Sequence, residues 1–268
     1  MSFSISGKTA IVTGAANGVG LAIARHFAEG GANVVFADMD EKTLRAQMGE
    51  EAEKEANIRL FAGDLRKKLT ITNLLSATID AFERVDILVN ASRQVMITDP
   101  LDPDDTSMDE LLQQNMLTAM RVSQAVARRM IKQAGKGGGG AAVGSIVNIS
   151  SIASRRTHGD LLAYSVSTAA LDQLTRSMAV AFAPHGIRVN AVAFGSVMSA
   201  SLMGSLKDDD EMRDAILENT PLHRIASPGE VSDAVQYLAS DAAGFVTGQI
   251  ITVDGGRTLI DPACVSAH

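Results

Sequence analysis

Seven short apolar or β-branched runs recur along this chain, each separated from the next by a helix-length segment. They cover residues 9–12, 34–37, 59–62, 87–89, 146–149, 188–192 and 250–253. Runs spaced this way cannot close into tight hairpins. They pair in parallel, with the intervening helices crossing over both faces of the sheet. A strand covered on both faces reads as a continuous apolar run, as most of these do. The expected fold class is therefore α/β, with a single doubly wound, parallel, seven-stranded sheet. With 268 residues and 46% hydrophobic content, the chain suits one domain spanning residues 1–268. Neither an internal repeat nor a linker interrupts it.

The first helix is predicted over Gly18–Glu29, with Ile23, Ala24, Phe27 and Ala28 facing inward and Gly30-Gly31 ending it. Residues 111–134 and 163–183 form the two longest helical stretches. They carry apolar residues on more than one face, which predicts packing against both the sheet and a partner subunit. Residues 135–144 are glycine-rich and read as a surface loop. Residues 196–220 are polar and loosely periodic, and read as a lid over a substrate site.

Charge narrows the choice of partners. A net charge of −7 and a pI near 5.2 disfavour nucleic acid and anionic membranes, which need concentrated Lys and Arg. The N-terminus does not read as a signal peptide, and no apolar run approaches a bilayer span. The single cysteine, Cys264, allows no internal disulfide and fits a reducing cytoplasm. Asp99, Asp102, Asp104, Asp105, Asp109 and Glu110 crowd one segment, but it lacks the mid-loop glycine of a calcium site and reads as a solvated loop. No metal site is expected.

Thr13-Gly14-Ala15-Ala16-Asn17-Gly18-Val19-Gly20 follows the first strand and opens the first helix. Glycines there permit a tight turn and a close backbone approach to a pyrophosphate, which the helix N-terminus then attracts. Asp38 ends the second strand. A carboxylate at that point accepts both adenosine-ribose hydroxyls of NAD and repels the 2′-phosphate of NADP. No Arg or Lys flanks it, so NAD is the expected cofactor.

Several ordered motifs then agree. Over nearly all of residues 6–257 the chain resembles the short-chain dehydrogenase/reductase family. Residues 13–20 look like its Thr-Gly-x-x-x-Gly-x-Gly, and Asp64-Leu65 like its acidic residue near the adenine. Asn90-Ala91-Ser92 resembles Asn-Ala-Gly, with serine replacing glycine. Asn115, Ser151 and Tyr164 stand where the family keeps its catalytic asparagine, serine and tyrosine. Arg188-Val189-Asn190-Ala191-Val192 and Asp254-Gly255-Gly256 match late markers, whereas Phe194 replaces the proline of Pro-Gly before Gly195.

The resemblance implies a Rossmann-type domain, a homotetramer or homodimer, and hydride transfer between nicotinamide and a secondary alcohol or ketone. Ser151 would bind the substrate oxygen, Tyr164 would carry the proton, and Asn115 would hold a relay water. Gly14, Asn17, Gly18, Val19, Gly20, Asp38, Asp64, Leu65, Asn90, Ala91, Ser92, Tyr164, Gly195 and Val197 would line the cofactor.

One family residue is missing. Tyr164-Ser165-Val166-Ser167-Thr168 has threonine where the family's lysine binds nicotinamide ribose and lowers the tyrosine's pKa. Positions 164 and 168 share a helix face, so Thr168 belongs to the catalytic set by place. It offers no charge, only a hydroxyl for a ribose or a water. A free tyrosine ionises near pH 10, so a neighbouring cation matters at neutral pH. Arg155 and Arg156 are considered as substitutes because they follow Ser151 closely. The alternative to an enzyme is a disabled or non-catalytic NAD(H)-binding protein of the same fold. The substrate pocket is expected from residues 94–97, 151–161 and 194–203, whose mixed lining names no substrate.

Overall fold

A computed structural model describes residues 2–135, 142–207 and 209–261. Most of the glycine-rich stretch at 135–144, and Cys264, lie outside the described residues. Seven strands form one sheet: β1 (Thr9–Thr13), β2 (Asn33–Asp38), β3 (Ile58–Ala62), β4 (Ile87–Asn90), β5 (Gly144–Ser151), β6 (Ile187–Phe194) and β7 (Ile250–Val253). Their order is β3-β2-β1-β4-β5-β6-β7, and every pair is parallel. The predicted sheet is thus present. Most strands outrun their apolar runs, because ladder hydrogen bonds carry polar ends such as Thr13, Asp38, Asn90, Ser150 and Ser151.

The chain enters at the centre of the sheet, builds to one edge, then returns past β1 to build the other. Direction reverses between β1 and β4, and the crevice beyond their carboxyl ends is where doubly wound sheets bind ligands. Successive strand residues serve opposite cores. Val12, Val34, Phe36, Val89 and Val147 pack with Ile23 and Phe27 of α1 (Gly18–Glu29), Leu44 and Met48 of α2 (Glu41–Lys54), and a helix near the chain's end. Ile11, Val35, Leu88, Ile146 and Val189 face Ile71 and Leu74 of α3 (Lys68–Phe82) and the two long helices.

The first long helix departs from expectation. It starts earlier, as α4 (Ser107–Leu111), widens into a π turn over Leu112–Leu117, and continues as α5 (Thr118–Ala134). The Thr118 hydroxyl donates to the Gln113 carbonyl at 2.8 Å, five residues back, where the widened turn presents it. Asn115 sits on the π turn rather than on a regular helix, and such insertions recur at functional sites. The second long helix is α6 (Leu162–Phe182), within a residue of its predicted bounds. The segment expected to act as a lid contains α7 (Ala200–Ser205) and α8 (Asp210–Glu218), the latter capped by Asp209. No helix among the described residues is long and apolar enough to cross a membrane.

The last helix, α9 (Pro228–Ala239), carries Val231, Val235 and Leu238 into the first core. Its start is a capping box built on Ser227 and Glu230. Glu230 also takes two hydrogen bonds from Arg224, at 2.6 and 2.8 Å. Arg224 first, and then the Ser227 N–H, hold its carboxyl at about 2, below the ordinary 4.5. A depressed carboxylate stabilises the fold above its unfolded pKa and loses that contribution as pH falls through the folded value. The pair is exposed, so solvent screens it and its contribution is small. Glu230→Gln, which keeps the capping box but removes the charge facing Arg224, should lower the melting midpoint at pH 7 by no more than about 2 °C. Thermal scans from pH 7 to 2 should show the gap closing between pH 4.5 and about 2.

Candidate active site

The site begins with an interlock between two loops at the switch point. The Thr13 hydroxyl accepts the backbone N–H groups of Ala91 and Ser92 at 3.0 and 3.1 Å. Gly14 follows with φ +67°, and a Cβ there would lie 2.7 Å from the Ala91 carbonyl and the Ser92 backbone. Glycine at 14 is therefore required by the approach of the β4 loop. Gly20 is required likewise, since its Cβ would fall 2.0 Å from the Gly14 carbonyl oxygen. Gly18 differs: it has φ +57°, and a Cβ would meet nothing within 4 Å.

That open side fits a dinucleotide phosphate. Asn17, the N-cap of α1, makes no side-chain cap, and the helix has no acidic residue in its first turn. Its leading N–H groups thus lack a capping carboxylate or hydroxyl and suit an anion. Asp38 closes the cradle, accepting from the N–H groups of Ala16 at 2.9 Å and Asp40 at 3.0 Å. Gly14, Asp38, Asp64, Leu65 and Ser92 line one crevice together. Arg66 lines it too, but its guanidinium is tied to Asp64 by two bonds of 2.9 and 3.1 Å. That pairing holds the Asp64 carboxyl below its usual range. Asn90 departs from the expected lining. Its side chain turns into the core, bonding Ser123 at 2.9 Å and Asn148 at 2.8 Å. Gly195 and Val197 lie past β6, where Val197 is buried and bridges Ala226.

The second half of the site lies at the carboxyl ends of β5 and β6. Ser151 pairs in register with Phe194, and its hydroxyl accepts from the Ala153 N–H at 3.1 Å. Asn115 is buried, with its side chain gripping the backbone of Gln94 at 2.8 and 2.9 Å and the Ser167 hydroxyl at 3.1 Å. Tyr164, on the first turn of α6, is buried against Leu111, Ala153 and Ala163, with Met96, Met108 and Leu161 at the margin. Thr168 is buried one turn on. Its hydroxyl donates to the carbonyls of Tyr164 and Ser165, both at 3.0 Å, so its proton is spent within the helix.

Neither considered arginine reaches the tyrosine. Arg155 donates to Thr252 at 3.1 Å, and Arg156 donates to the carbonyl of Thr258. The cation beside the phenol is Arg93, whose Nη1 donates to the Tyr164 Oη at 2.5 Å. The same guanidinium lies over the Phe194 ring, 4.4 Å from its centroid.

A family model described as enoyl-(acyl carrier protein) reductase matches residues 14–258. An uncharacterised oxidoreductase of Thermotoga maritima is 34% identical and covers 96% of this chain and 100% of its own length. This chain belongs to the short-chain dehydrogenase/reductase family. Among solved relatives is a 7α-hydroxysteroid dehydrogenase complexed with NADH and 7-oxo glycochenodeoxycholic acid, with TM-score 0.85 and 30% identity over 95% of each chain. A gluconate 5-dehydrogenase from Burkholderia cenocepacia, in complex with NADP and tartrate, gives TM-score 0.84 and 29% identity. It covers 97% of this chain and 98% of its own.

Membership in the short-chain dehydrogenase/reductase family makes this chain an oxidoreductase that uses a nicotinamide cofactor. It also makes the departures informative. Ser92, in place of glycine, accepts from Gln114 at 2.9 Å, so its side chain anchors the β4 loop to the π turn. Sequence spacing does not single out Arg93, which lies 71 residues from Tyr164. The available signal was a cation directly after Asn90-Ala91-Ser92, on a loop at the carboxyl edge of the sheet.

Removing the Thr13 hydroxyl should loosen this loop. Thr13→Val strands two backbone donors, at about 1–3 kcal/mol each if they stay buried. The melting midpoint should fall by roughly 4–10 °C, with Thr13→Ser close to the parent. A Thr13→Val midpoint equal to the parent's would mean the interlock contributes nothing.

Proposed function

We propose that this protein is an NAD-dependent oxidoreductase that transfers a hydride between nicotinamide and a secondary alcohol or ketone. The observation carrying this reading is the placement of Tyr164. Its phenol sits at the carboxyl edge of the sheet, on the helix start that follows Ser151, with a cation bonded to its oxygen. Because Arg93 donates to Oη, the phenolic proton remains available to a substrate oxygen.

The roles follow from position. Ser151 orients the substrate oxygen, and Tyr164 moves the proton. Asn115 holds the Gln94 backbone, and with it the wall of the pocket. Gly14, Asn17, Gly18, Val19 and Gly20 present backbone to the pyrophosphate, and Asp38 takes the adenosine ribose. Asp64, Leu65, Ala91, Ser92, Gly195 and Val197 shape the remaining walls. Asn90 supports the site from within the core. A bound nicotinamide would supply the hydride acceptor for oxidation of the carbinol, or the donor for reduction of the ketone, with Gly14, Gly18, Gly20 and Asp38 holding the dinucleotide. In oxidation the hydroxyl proton passes to Tyr164, and in reduction Tyr164 gives it back. NAD is favoured over NADP because Asp38 faces the ribose end and Arg66 is already paired with Asp64.

The apolar margin of Met96, Met108 and Leu161 suits a small molecule with a hydrocarbon face. Val166 and Val180 on α6 are 43% and 77% exposed, which supports packing against a second copy in a homodimer or homotetramer. A lone cysteine and an acidic surface fit work in the cytoplasm as a single-domain enzyme.

Titration with NADH and NADPH, read by nucleotide fluorescence, should show tighter NADH binding. A panel of secondary alcohols should then give NAD reduction. Tyr164→Phe should lower kcat by about 10²-fold or more while NADH binding is retained. Failure to bind NADH would overturn the cofactor assignment. NADH binding without turnover on any alcohol or ketone would favour the non-catalytic alternative.

A further inference from the structure

We propose that Arg93 replaces the missing lysine as the cation that supports Tyr164, reaching the phenol from the β4 loop instead of from α6. The inference rests on Tyr164 being the proton carrier, as argued above, and concerns how that proton is controlled.

Three substitutions relative to the family pattern converge on one guanidinium. Thr168 removes the ammonium from α6 and turns its own hydroxyl into the helix backbone. Phe194, where the family has proline, puts an aromatic face under Arg93, with the guanidinium carbon 4.4 Å from the ring centroid. Ser92, where the family has glycine, bonds Gln114 and fixes the loop just before Arg93. The result is a bond of 2.5 Å from Arg93 Nη1 to Tyr164 Oη. A guanidinium stays protonated throughout the working pH range, and its planar fork both stacks and donates. A cation bonded to the phenol stabilises the negative charge that develops on its oxygen as the proton moves. Arg93 is thus a positioning residue that acts through Tyr164.

Of the other charged groups on the surrounding elements, Asp109 and Glu110 of α4 are exposed, Glu110 accepting from Thr106, and Arg257 donates to Ser196. Arg155 and Arg156 reach Thr252 and Thr258. His158 and Asp160, ahead of α6, face each other in an exposed pair at 3.9 Å. Asp172, deeper on α6, accepts from Ser150 at 2.7 Å. Asp254, beyond β7, accepts the N–H groups of Gly256 and Thr258 at 2.9 and 2.8 Å.

The test needs neither substrate nor cofactor. The chain has two tyrosines and no tryptophan, so in a Tyr237→Phe background the ultraviolet tyrosinate band reports Tyr164 alone. The growth of that band with pH should differ between the parent and Arg93→Met. Arg93→Lys should recover part of the difference, and Thr168→Lys added to Arg93→Met should recover it from the other side. In turnover, Arg93→Met should lower kcat by about tenfold or more, chiefly near neutral pH, with little change in alcohol KM. Thr168→Lys should restore it. Superimposable tyrosinate curves for Arg93 and Arg93→Met would overturn the proposal, whatever the turnover. Tighter NADH binding by Arg93→Met with undiminished kcat would also overturn it, by showing that the guanidinium obstructs the nicotinamide end. A displaced tyrosinate curve with no turnover in any variant would sustain the Arg93–Tyr164 coupling and remove only the functional reading.

Discussion

The site depends on one hydroxyl. Thr13 Oγ1 accepts the Ala91 and Ser92 N–H groups, and this ties the end of β1 to the loop after β4. Gly14 makes the approach possible, because any side chain there would strike that loop's backbone. The loop then runs directly to Arg93 and Gln94. Gln94 is pinned by Asn115 from the π turn, and Arg93 lies between Phe194 and Tyr164. The glycine loop after β1 and the Tyr164 end of the site are thus two outputs of one interlock at the switch point of the sheet.

Buried polar bonds hold the helices behind that edge. Asn90 joins Ser123 of α5 to Asn148 of β5, and Asn148 joins Thr175 of α6. Each residue in this series is hydrogen-bonded to the next, which is what makes polar side chains tolerable at such depth. Ser150 and Asp172 add a further bond between β5 and α6. Tyr164 therefore starts a helix whose position relative to Ser151 is fixed by hydrogen bonding as well as by packing. A phenol held to the edge of a sheet in this way can meet a substrate oxygen without large rearrangement.

Much of this was legible in the sequence because periodicity and glycine chemistry are local. Apolar runs located the strands, and Gly18–Glu29 and the helix carrying Tyr164 fell within a residue of expectation. The π turn was not legible, since an inserted residue leaves no mark in apolar spacing. The motif places Asn90 at the cofactor, while its side chain joins a polar series that forms only once β4, β5 and two helices assemble. Thr168 could be recognised as a missing charge. Its compensation could not, because Arg93 and Tyr164 are brought together by the β1–β4 interlock and not by chain proximity. Phe194 is legible in sequence as a replacement for proline, but its stacking beneath Arg93 is a tertiary contact.

The most direct test of the central claim is a crystal structure of the protein with NADH bound. The account predicts pyrophosphate on the N–H groups of α1, the adenosine ribose on Asp38, and nicotinamide beside Tyr164 with Arg93 still bonded to the phenol. A structure with the nucleotide bound elsewhere, or with Arg93 expelled from Tyr164 when nicotinamide enters, would contradict it.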